Sequence, residues 1–437
     1  MKLSGNTLFI EDFPDPKRFL CFNTRTQAQV VIDEKLKRVL DTLPGNNHDQ
    51  PTLQALATLE RMGILIQDSK DEKRLIQEWF HTIKTDSSEI DATVLTTYDC
   101  NFACSYCIEA GVKNRVYMDE PTAERTVSYI TDRVDSASPK RLTVNFYGGE
   151  PLLNPKAIRI VARGLKEFTK ARELPFSFSI TTNGALLTPE IVKELKEYGL
   201  KSVKITLDGT REFHNRKRPF KKGRSSFDII IENLLAVVAD IEVDVGGNFD
   251  RENLASIYEL LDYLGALGLT DKLRSVEFKP IFSTHRERKK VPHGSDLGCV
   301  FFEPAVMASM IDLKKAALDR GFKANTGLSI NICSMVMSGS VFIIDPVGKL
   351  YRCPGFVGHE EYVVGSIDRP GHEDFSAKDF WKRCSDCVYV PLCGDGCLYA
   401  AYIRYGDINR LNCQKSYMEY MVKEQLKLNY RHSRKTS

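Results

Sequence analysis

From residue 92 the apolar and polar positions switch period again and again. Short runs rich in β-branched and aromatic residues stand at "ATVLTT" (92–97), "LTVNFY" (142–147), "FSFSITT" (176–182), "SVKITL" (202–207), "IEVDVGG" (241–247) and "SVEFKPI" (275–281), the signature of buried or half-buried strands. Stretches of helical period lie between them. "PEIVKELKEYG" is one, with Thr188 placed to cap its start, Pro189 in its first turn and Gly199 to end it. Six strands alternating with helices imply a parallel sheet with right-handed crossovers, open or curled as part of a barrel. In such sheets the chemistry gathers beyond the strand C-termini.

The flanks read differently. Before residue 87, "TLFIE", "RFLCFN" and "AQVVID" predict strands, "EKLKRVLDTL" and "TLQALATLERMG" helices, and "ILIQ" a last strand, together a small winged-helix-like unit over 1–86. "KTDSSEID" (84–91) reads as the linker to the alternating region, 87–290. Beyond 291 the alternation stops. A hairpin is expected at "SVFIIDPVGKLYRC", with Asp345 to Gly348 supplying the turn, and then come clustered cysteines and a basic amphipathic helix to the end of a third unit, 291–437.

Composition narrows the function. The chain has 437 residues, 42% hydrophobic and 27% charged, with a formal net charge of +3: ordinary for a soluble protein and too mildly basic to imply nucleic acid as partner. Neither the start, "MKLSGNTLFIEDFPDPK", nor any later stretch offers a signal peptide or about 18 consecutive apolar residues, so no membrane segment and a cytoplasmic location are expected. Twelve cysteines in a reducing compartment should then be thiols or metal ligands. Ten are clustered: Cys100, Cys104 and Cys107, then Cys333, Cys353, Cys384, Cys387, Cys393, Cys397 and Cys413. Cys21 and Cys299 remain, Cys21 reading as a core thiol.

The first set, "TTYDCNFACSYCIE", has three cysteines and no fourth. Three thiolates on a 4Fe-4S cluster leave one iron open, and an open coordination position marks a reactive centre. The alternative, three small core residues on one helix face, sits poorly with Tyr98, Asp99 and Asn101. This loop follows the first strand; "GGEP" (148–151) follows the second, "TTNG" (181–184) ends the third and "LDG" (207–209) follows the fourth.

The spacing C-x3-C-x2-C with Tyr106 before the last cysteine, after the first of six alternating strands, resembles the radical S-adenosylmethionine (AdoMet) superfamily. The resemblance implies a partial (β/α)6 barrel of the TIM type and a cluster whose open iron is chelated by AdoMet. By the same resemblance Gly148 and Gly149 approach the AdoMet methionine, Glu150 meets its ammonium, and Arg218 of "HNRKRP" pairs with its carboxylate. Thr182, Asn183, Thr206 and Asp208 match positions on its ribose and methionine, with Asn248 and Pro280 candidates for ribose and adenine. The implied reaction is reductive cleavage of AdoMet to a 5′-deoxyadenosyl radical that abstracts hydrogen from substrate carbon.

The later cysteines, C-x2-C-x5-C-x3-C from Cys384 to Cys397 with "GKLYRC" upstream, resemble the SPASM extension of that superfamily. Two auxiliary clusters are implied, making three 4Fe-4S clusters in all. Cys384, Cys387, Cys393 and Cys413 would hold one; Cys333, Cys353 and Cys397 would hold the other, completed by Cys299 or by a substrate thiolate. Zinc is the alternative occupant of such C-x2-C pairs. The first 86 residues resemble the PqqD-like leader-binding module of maturases of ribosomally made peptides, which takes up its ligand as an added strand; a merely stabilising domain is the plainer reading. These likenesses imply a peptide maturase that crosslinks (thioether as the first expectation) or oxidises a precursor peptide, served by a low-potential electron donor such as flavodoxin or ferredoxin. A formylglycine-forming sulfatase-type maturase and a non-catalytic metal-binding peptide adaptor are the alternatives. Against the former, the residue after Cys353 is Pro354, where those enzymes carry an Asp.

Overall fold

The computed structural model describes residues 1–44, 48–107, 109, 114–281, 304–325, 327–328, 332–337, 339–371, 380–394 and 396–436. Cys299 lies outside the described residues. Six strands of the alternating region, β6 (Glu89–Leu95), β7 (Arg141–Tyr147), β8 (Phe176–Thr182), β9 (Leu200–Thr206), β10 (Glu242–Phe249) and β11 (Ser275–Pro280), pair in sequential order, every neighbour parallel. Helices α4 (Glu120–Ala137), α5 (Pro155–Ala171), α6 (Pro189–Glu197), α7 (Arg211–Lys217), α8 (Phe227–Val237) and α9 (Leu254–Ala266) fill the crossovers. The pattern left the parallel sheet open or curled; the structure is the partial (β/α)6 barrel that the resemblance implied. Local chemistry sets the helix ends: Thr188 accepts from the Ile191 N–H at the start of α6, and Gly199 follows that helix at φ +107°, a conformation glycine adopts without penalty.

One face of each strand is apolar. Ile90, Val94, Val144, Phe146, Ile180, Val203, Ile205, Val243 and Val245 are buried beneath the helices in one continuous core. The other face carries Asn145, Ser179, Thr181, Lys204, Asp244 and Glu277, joined by Ser179 and Thr181 hydroxyls donating to Asn145 Oδ1 (3.1 and 3.2 Å) and by a Lys204–Glu277 ion pair (3.3 Å). Period-2 alternation thus gives an oily outside for the helices and a polar interior.

The hairpin at 341–351 forms, but with a consequence the pattern did not reveal. Its first strand, β12 (Val341–Ile344), pairs in parallel with β6, and β13 (Leu350–Tyr351) pairs antiparallel with β12, extending the barrel sheet to eight strands. The third unit is therefore built onto the strand that leads into the cysteine loop.

At the N-terminus, β2 (Thr7–Glu11), β3 (Arg18–Asn23) and β4 (Gln29–Asp33) form an antiparallel sheet. It is followed by α1 (Glu34–Asp41), α2 (Gln50–Arg61) and β5 (Leu65–Ile66), the last paired with β1 (Lys2–Leu3). Cys21 lies in the core beneath them with Ile32, Leu40 and Leu59, and burial pushes its thiol up to about 12. A further helix, α3 (Glu72–Thr85), was not expected from the pattern. Nor do these elements stand apart. Leu8, Ile10, Leu20 and Phe22 share a buried cluster with Tyr389, Leu392, Met418 and Leu426, and Ile76 and Phe80 of α3 pack on Val390 beside Cys384 and Cys387. Thr24 also donates to the Val388 carbonyl (2.5 Å). The sheet has two apolar faces to cover, and its own helices cover one.

Candidate active site

Four loops close over the C-terminal ends of β6 to β9, and the three-cysteine loop lies among them. It is held from beneath by the glycines after β7. The Gly149 N–H donates to Thr97 O (3.0 Å) and the Glu150 N–H to Asp99 O (2.8 Å). A Cβ on Gly148, which sits at φ +131°, would stand 2.4 Å from Thr97 O, and one on Gly149 would stand 2.1 Å from Asp99 O. The immediate need for glycine here is thus the close approach of the cysteine loop's own backbone, a neighbour that the resemblance did not suggest.

Glu150 is fully buried and its carboxylate is committed within the protein. It accepts from the Thr182 hydroxyl (2.7 Å), the Asn183 N–H (2.7 Å) and the Leu152 N–H (3.0 Å). Burial raises its pKa and these hydrogen bonds oppose the rise. Through Glu150 the loop after β7 fixes the loop after β8. Asn183 in turn donates to Asn101 Oδ1 (2.7 Å), next to Cys100.

Tyr106, between Cys104 and Cys107, gathers the other candidates. Its phenolic oxygen receives hydrogen bonds from Arg218 Nη1 (2.7 Å) and Asn248 Nδ2 (3.1 Å) and its hydroxyl meets Asp208 Oδ2. Asp208 also accepts from the Asn248 N–H (2.7 Å), while its own N–H donates to Nδ1 of the buried His214 (3.2 Å). Residues read from three separate stretches of sequence therefore meet at this one side chain. Thr206 and Pro280 stand at the ends of β9 and β11, outside this network among the described residues. Burial raises Asp208 and drives His214 well below the ordinary imidazole value, so the imidazole is neutral.

Several participants carried no sequence motif. Tyr147, the last residue of β7, lies close enough to Glu109, Cys107 and Cys100 to feel their charges; its position just before "GGEP" was the available signal. Tyr98, two residues before Cys100, donates to Asp345 Oδ2 in the hairpin turn (2.7 Å), and both are buried. Asp345 also accepts from the N–H groups of Val347 and Lys349. This joins the cysteine loop to the strand that ends two residues before Cys353.

The later cysteines fall into two places. Cys384, Cys387, Cys393 and Cys413 line one small cavity, whereas Cys333, Cys353 and Cys397 line a larger one of about 610 Å³ that reaches Phe278 and Lys279 of β11; Cys393 lines both. All eleven described cysteines are free thiols. Among the described residues no group of three or more His, Cys, Asp or Glu side chains has the geometry for a single metal ion; a cuboidal cluster asks for something else, one thiolate on each iron.

Does the first loop suit a cluster with AdoMet? The donor set is three thiols on one loop, Cys100 buried and Cys104 and Cys107 half-buried. Beside them Arg218 Nε is buried without a hydrogen-bond partner, a costly arrangement that an anionic ligand would relieve. Both observations fit.

Comparison with known proteins agrees with this geometry. Residues 94–264 match the Radical SAM superfamily, so the barrel is a radical SAM domain, a class that uses a 4Fe-4S cluster and AdoMet. The chain is 24% identical over 340 residues to the radical SAM cyclopropyl synthase TigE of Paramaledivibacter caminithermalis, covering 71% of this chain and 68% of that one. It is 25% identical over 338 residues to the mycofactocin maturase MftC of Mycobacterium tuberculosis, covering 70% and 77%. Among solved structures, SuiB of Streptococcus suis bound to its precursor peptide SuiA superposes with a TM-score of 0.52 at 14% identity, over 95% of this chain and 99% of SuiB, a likeness of fold. Among the described residues no helix is long and apolar enough to cross a membrane.

Proposed function

We propose that this protein is a radical SAM maturase of a precursor peptide, in which Cys100, Cys104 and Cys107 hold the AdoMet-binding cluster. The observation that carries the reading is the convergence of the loops after β7, β8 and β9, and of Asn248 at the end of β10, on the three-cysteine loop, with Arg218 left one unpaired buried donor. The cluster and AdoMet, when bound, supply a 5′-deoxyadenosyl radical that takes hydrogen from the substrate. The chain's residues do the rest. Gly148 and Gly149 let the cysteine loop seat closely, Glu150 fixes Thr182 and Asn183, and Arg218, Asp208 and Asn248 hold Tyr106 and line the place for AdoMet. The polar barrel interior receives the substrate, and enclosure by the loops keeps water from the reacting atoms.

In this reading residues 291–437 form a SPASM domain with two auxiliary clusters, one on Cys384, Cys387, Cys393 and Cys413 and one on Cys333, Cys353 and Cys397, completed by Cys299 or a substrate thiolate. Support comes from the two cavities that the two sets line. Residues 1–86 take the precursor's leader as a strand added to an edge of the β2–β3–β4 sheet; the supporting observation is the SuiB fold, which spans the same length of chain. A formylglycine-forming role lacks a carboxylate next to Cys353, where Pro354 stands. The test is co-expression with a small precursor encoded beside the gene, followed by mass analysis. Crosslinking removes two hydrogens per event, and an unchanged peptide mass would refute the proposal.

A further inference from the structure

The larger cavity, beside β11, holds a cation that nothing described above uses. Two helices of the third unit wall it, α10 (Pro304–Asp319) and α11 (Lys415–Thr436). Met310, Leu313, Lys314 and Ala317 of α10 line it, as do Met418, Met421, Val422 and Gln425 of α11. Both sets recur at i, i+3, i+4 and i+7, the stripe that one face of a helix presents. Within each stripe one residue is polar, and the two meet: Lys314 Nζ donates to Gln425 Oε1 (2.6 Å). Gln425 Nε2 in turn donates to Asn429 Oδ1 (2.7 Å), which fixes the amide with its oxygen toward the lysine.

A neutral amide does not balance an ammonium. Lys314 is half-buried and makes no ion pair among the described residues. Glu277 is close enough to be felt, but its carboxylate is shared, since Lys204 (3.3 Å) and the exposed Lys279 (3.4 Å) both pair with it. At the start of β11, Arg274 pairs with Asp244 and with Glu242 (3.0 Å), so those carboxylates are taken up there. Three lysines thus stand around one glutamate. Burial holds Lys314 below the ordinary lysine value, an effect that Glu277 opposes and Lys279 reinforces. A half-buried cation short of counter-charge is costly. A carboxylate entering the cavity would relieve it with a charge-assisted hydrogen bond, using donors that an ammonium has to spare.

The rest of the wall suits a peptide. At about 610 Å³ the cavity has the size of an ordinary ligand site, and Met310, Met418 and Met421 give it flexible, polarisable sides that adapt to apolar side chains of varied shape. The same wall includes Cys333, Cys353 and Cys397, so a segment held here lies beside the later cysteines.

We propose that Lys314 recognises the carboxylate of an acidic residue in the precursor peptide, so that the segment seated in this cavity carries an Asp or Glu beside apolar residues. The proposal rests on the maturase reading and adds to it the class of sequence that the protein accepts.

The test crosses two proteins with two kinds of peptide. The proteins are the iron-loaded wild type and Lys314→Met. The peptides are the leaderless core of the precursor encoded beside the gene, and the same core with each Asp or Glu in turn replaced by Asn or Gln. Affinity is read by calorimetric titration without reductant, so no turnover enters. The expected result is one acidic position whose amide weakens binding to the wild type at least tenfold but to Lys314→Met less than twofold, a coupling that only contacting groups show. Lys314→Arg, which keeps the charge, should restore the dependence, and Lys314→Gln is the second neutral variant should Lys314→Met load less iron. A core without Asp or Glu, a wild type that does not bind the core, or amide replacements without effect would overturn the proposal. So would a loss equally large in Lys314→Met, or one produced only by amidating the C-terminus of the core, which would assign the lysine to the chain end. A precursor whose mass stays unchanged on co-expression would end the maturase reading while the titration still decides what Lys314 recognises. A modified precursor that binds without regard to its acids would end this proposal alone.

Discussion

Replacing Gly149 by alanine tests how the cysteine loop is seated. The added methyl would stand 2.1 Å from Asp99 O, 2.5 Å from Asp99 C and 2.7 Å from Tyr98 O, all backbone atoms. Ordinary contact begins near 3.4 Å, so the loop must retreat by about 1.3 Å, and it does so against the hydrogen bonds from the Gly149 and Glu150 N–H groups. Overpacking against side chains costs about 1–3 kcal/mol; against a bonded backbone we expect ~3 kcal/mol. The larger effect is on chemistry, since displacing a reacting group by about 1 Å costs on the order of 100-fold in rate. Gly149→Ala should therefore cleave AdoMet about 100-fold more slowly after chemical reduction and lose about four irons per chain, the content of one 4Fe-4S cluster. Gly164→Ala is the control. The nearest atoms its methyl would meet are Val127 side-chain carbons, at 3.0 Å and beyond, in the middle of α5, and its iron content and rate should match the wild type. If Gly149→Ala does so too, the close approach is not what the glycine is for.

Glu150→Gln keeps the shape but turns an amide NH2 toward N–H or O–H donors at Thr182, Asn183 or Leu152. A buried mismatch of this kind costs about 1–3 kcal/mol; the melting temperature should fall and the KM for AdoMet rise about tenfold. His214 is held neutral by burial, its pKa far below 6.5. As pH falls below 6.5 the unfolded chain takes up a proton that the folded chain refuses, so stability falls by up to about 1.4 kcal/mol per pH unit; denaturant titrations between pH 7 and 5 should show this slope reduced in His214→Gln. Tyr98→Phe breaks the buried hydrogen bond to Asp345, and a double-mutant cycle with Asp345→Asn should give a coupling of about 1.5–3 kcal/mol by chemical denaturation, the range for a hydrogen bond to a charged group.

The barrel was legible because its six strands are buried on the helix side and polar within, so that each run stands out against a helical neighbour. Its strand limits moved by only a few residues: "ATVLTT" at 92–97 became Glu89–Leu95, and "SVKITL" at 202–207 became Leu200–Thr206. The parallel ladder between β12 and β6 was not legible, because it joins residues about 250 positions apart and neither strand's pattern names a partner. Helix α3 was missed since "DEKRLIQEWFHTIKT" is mostly charged and polar, and the apolar residues that fix it, Ile76 and Phe80, pack on Val390 in the cysteine-rich third unit. At the site, motif residues such as Glu150, Asp208 and Arg218 could be picked out by their place after successive strands. What they touch could not: Glu150 holds the next loop, and Tyr106 is where Asp208, Arg218 and Asn248 meet. Asp345 was legible only as a turn residue and Tyr147 only by its place before "GGEP"; their contacts with the cysteine loop come from tertiary structure.

The central claim is that the three-cysteine loop carries a cluster that cleaves AdoMet. Its most direct test is chromatographic detection of 5′-deoxyadenosine after anaerobic reconstitution, addition of AdoMet and chemical reduction. The wild type should form it, and the variant with Cys100, Cys104 and Cys107 all replaced by alanine should form none while keeping the iron bound by the later cysteines. Absence of 5′-deoxyadenosine from an iron-loaded wild type, or its undiminished formation by the triple variant, would contradict the account.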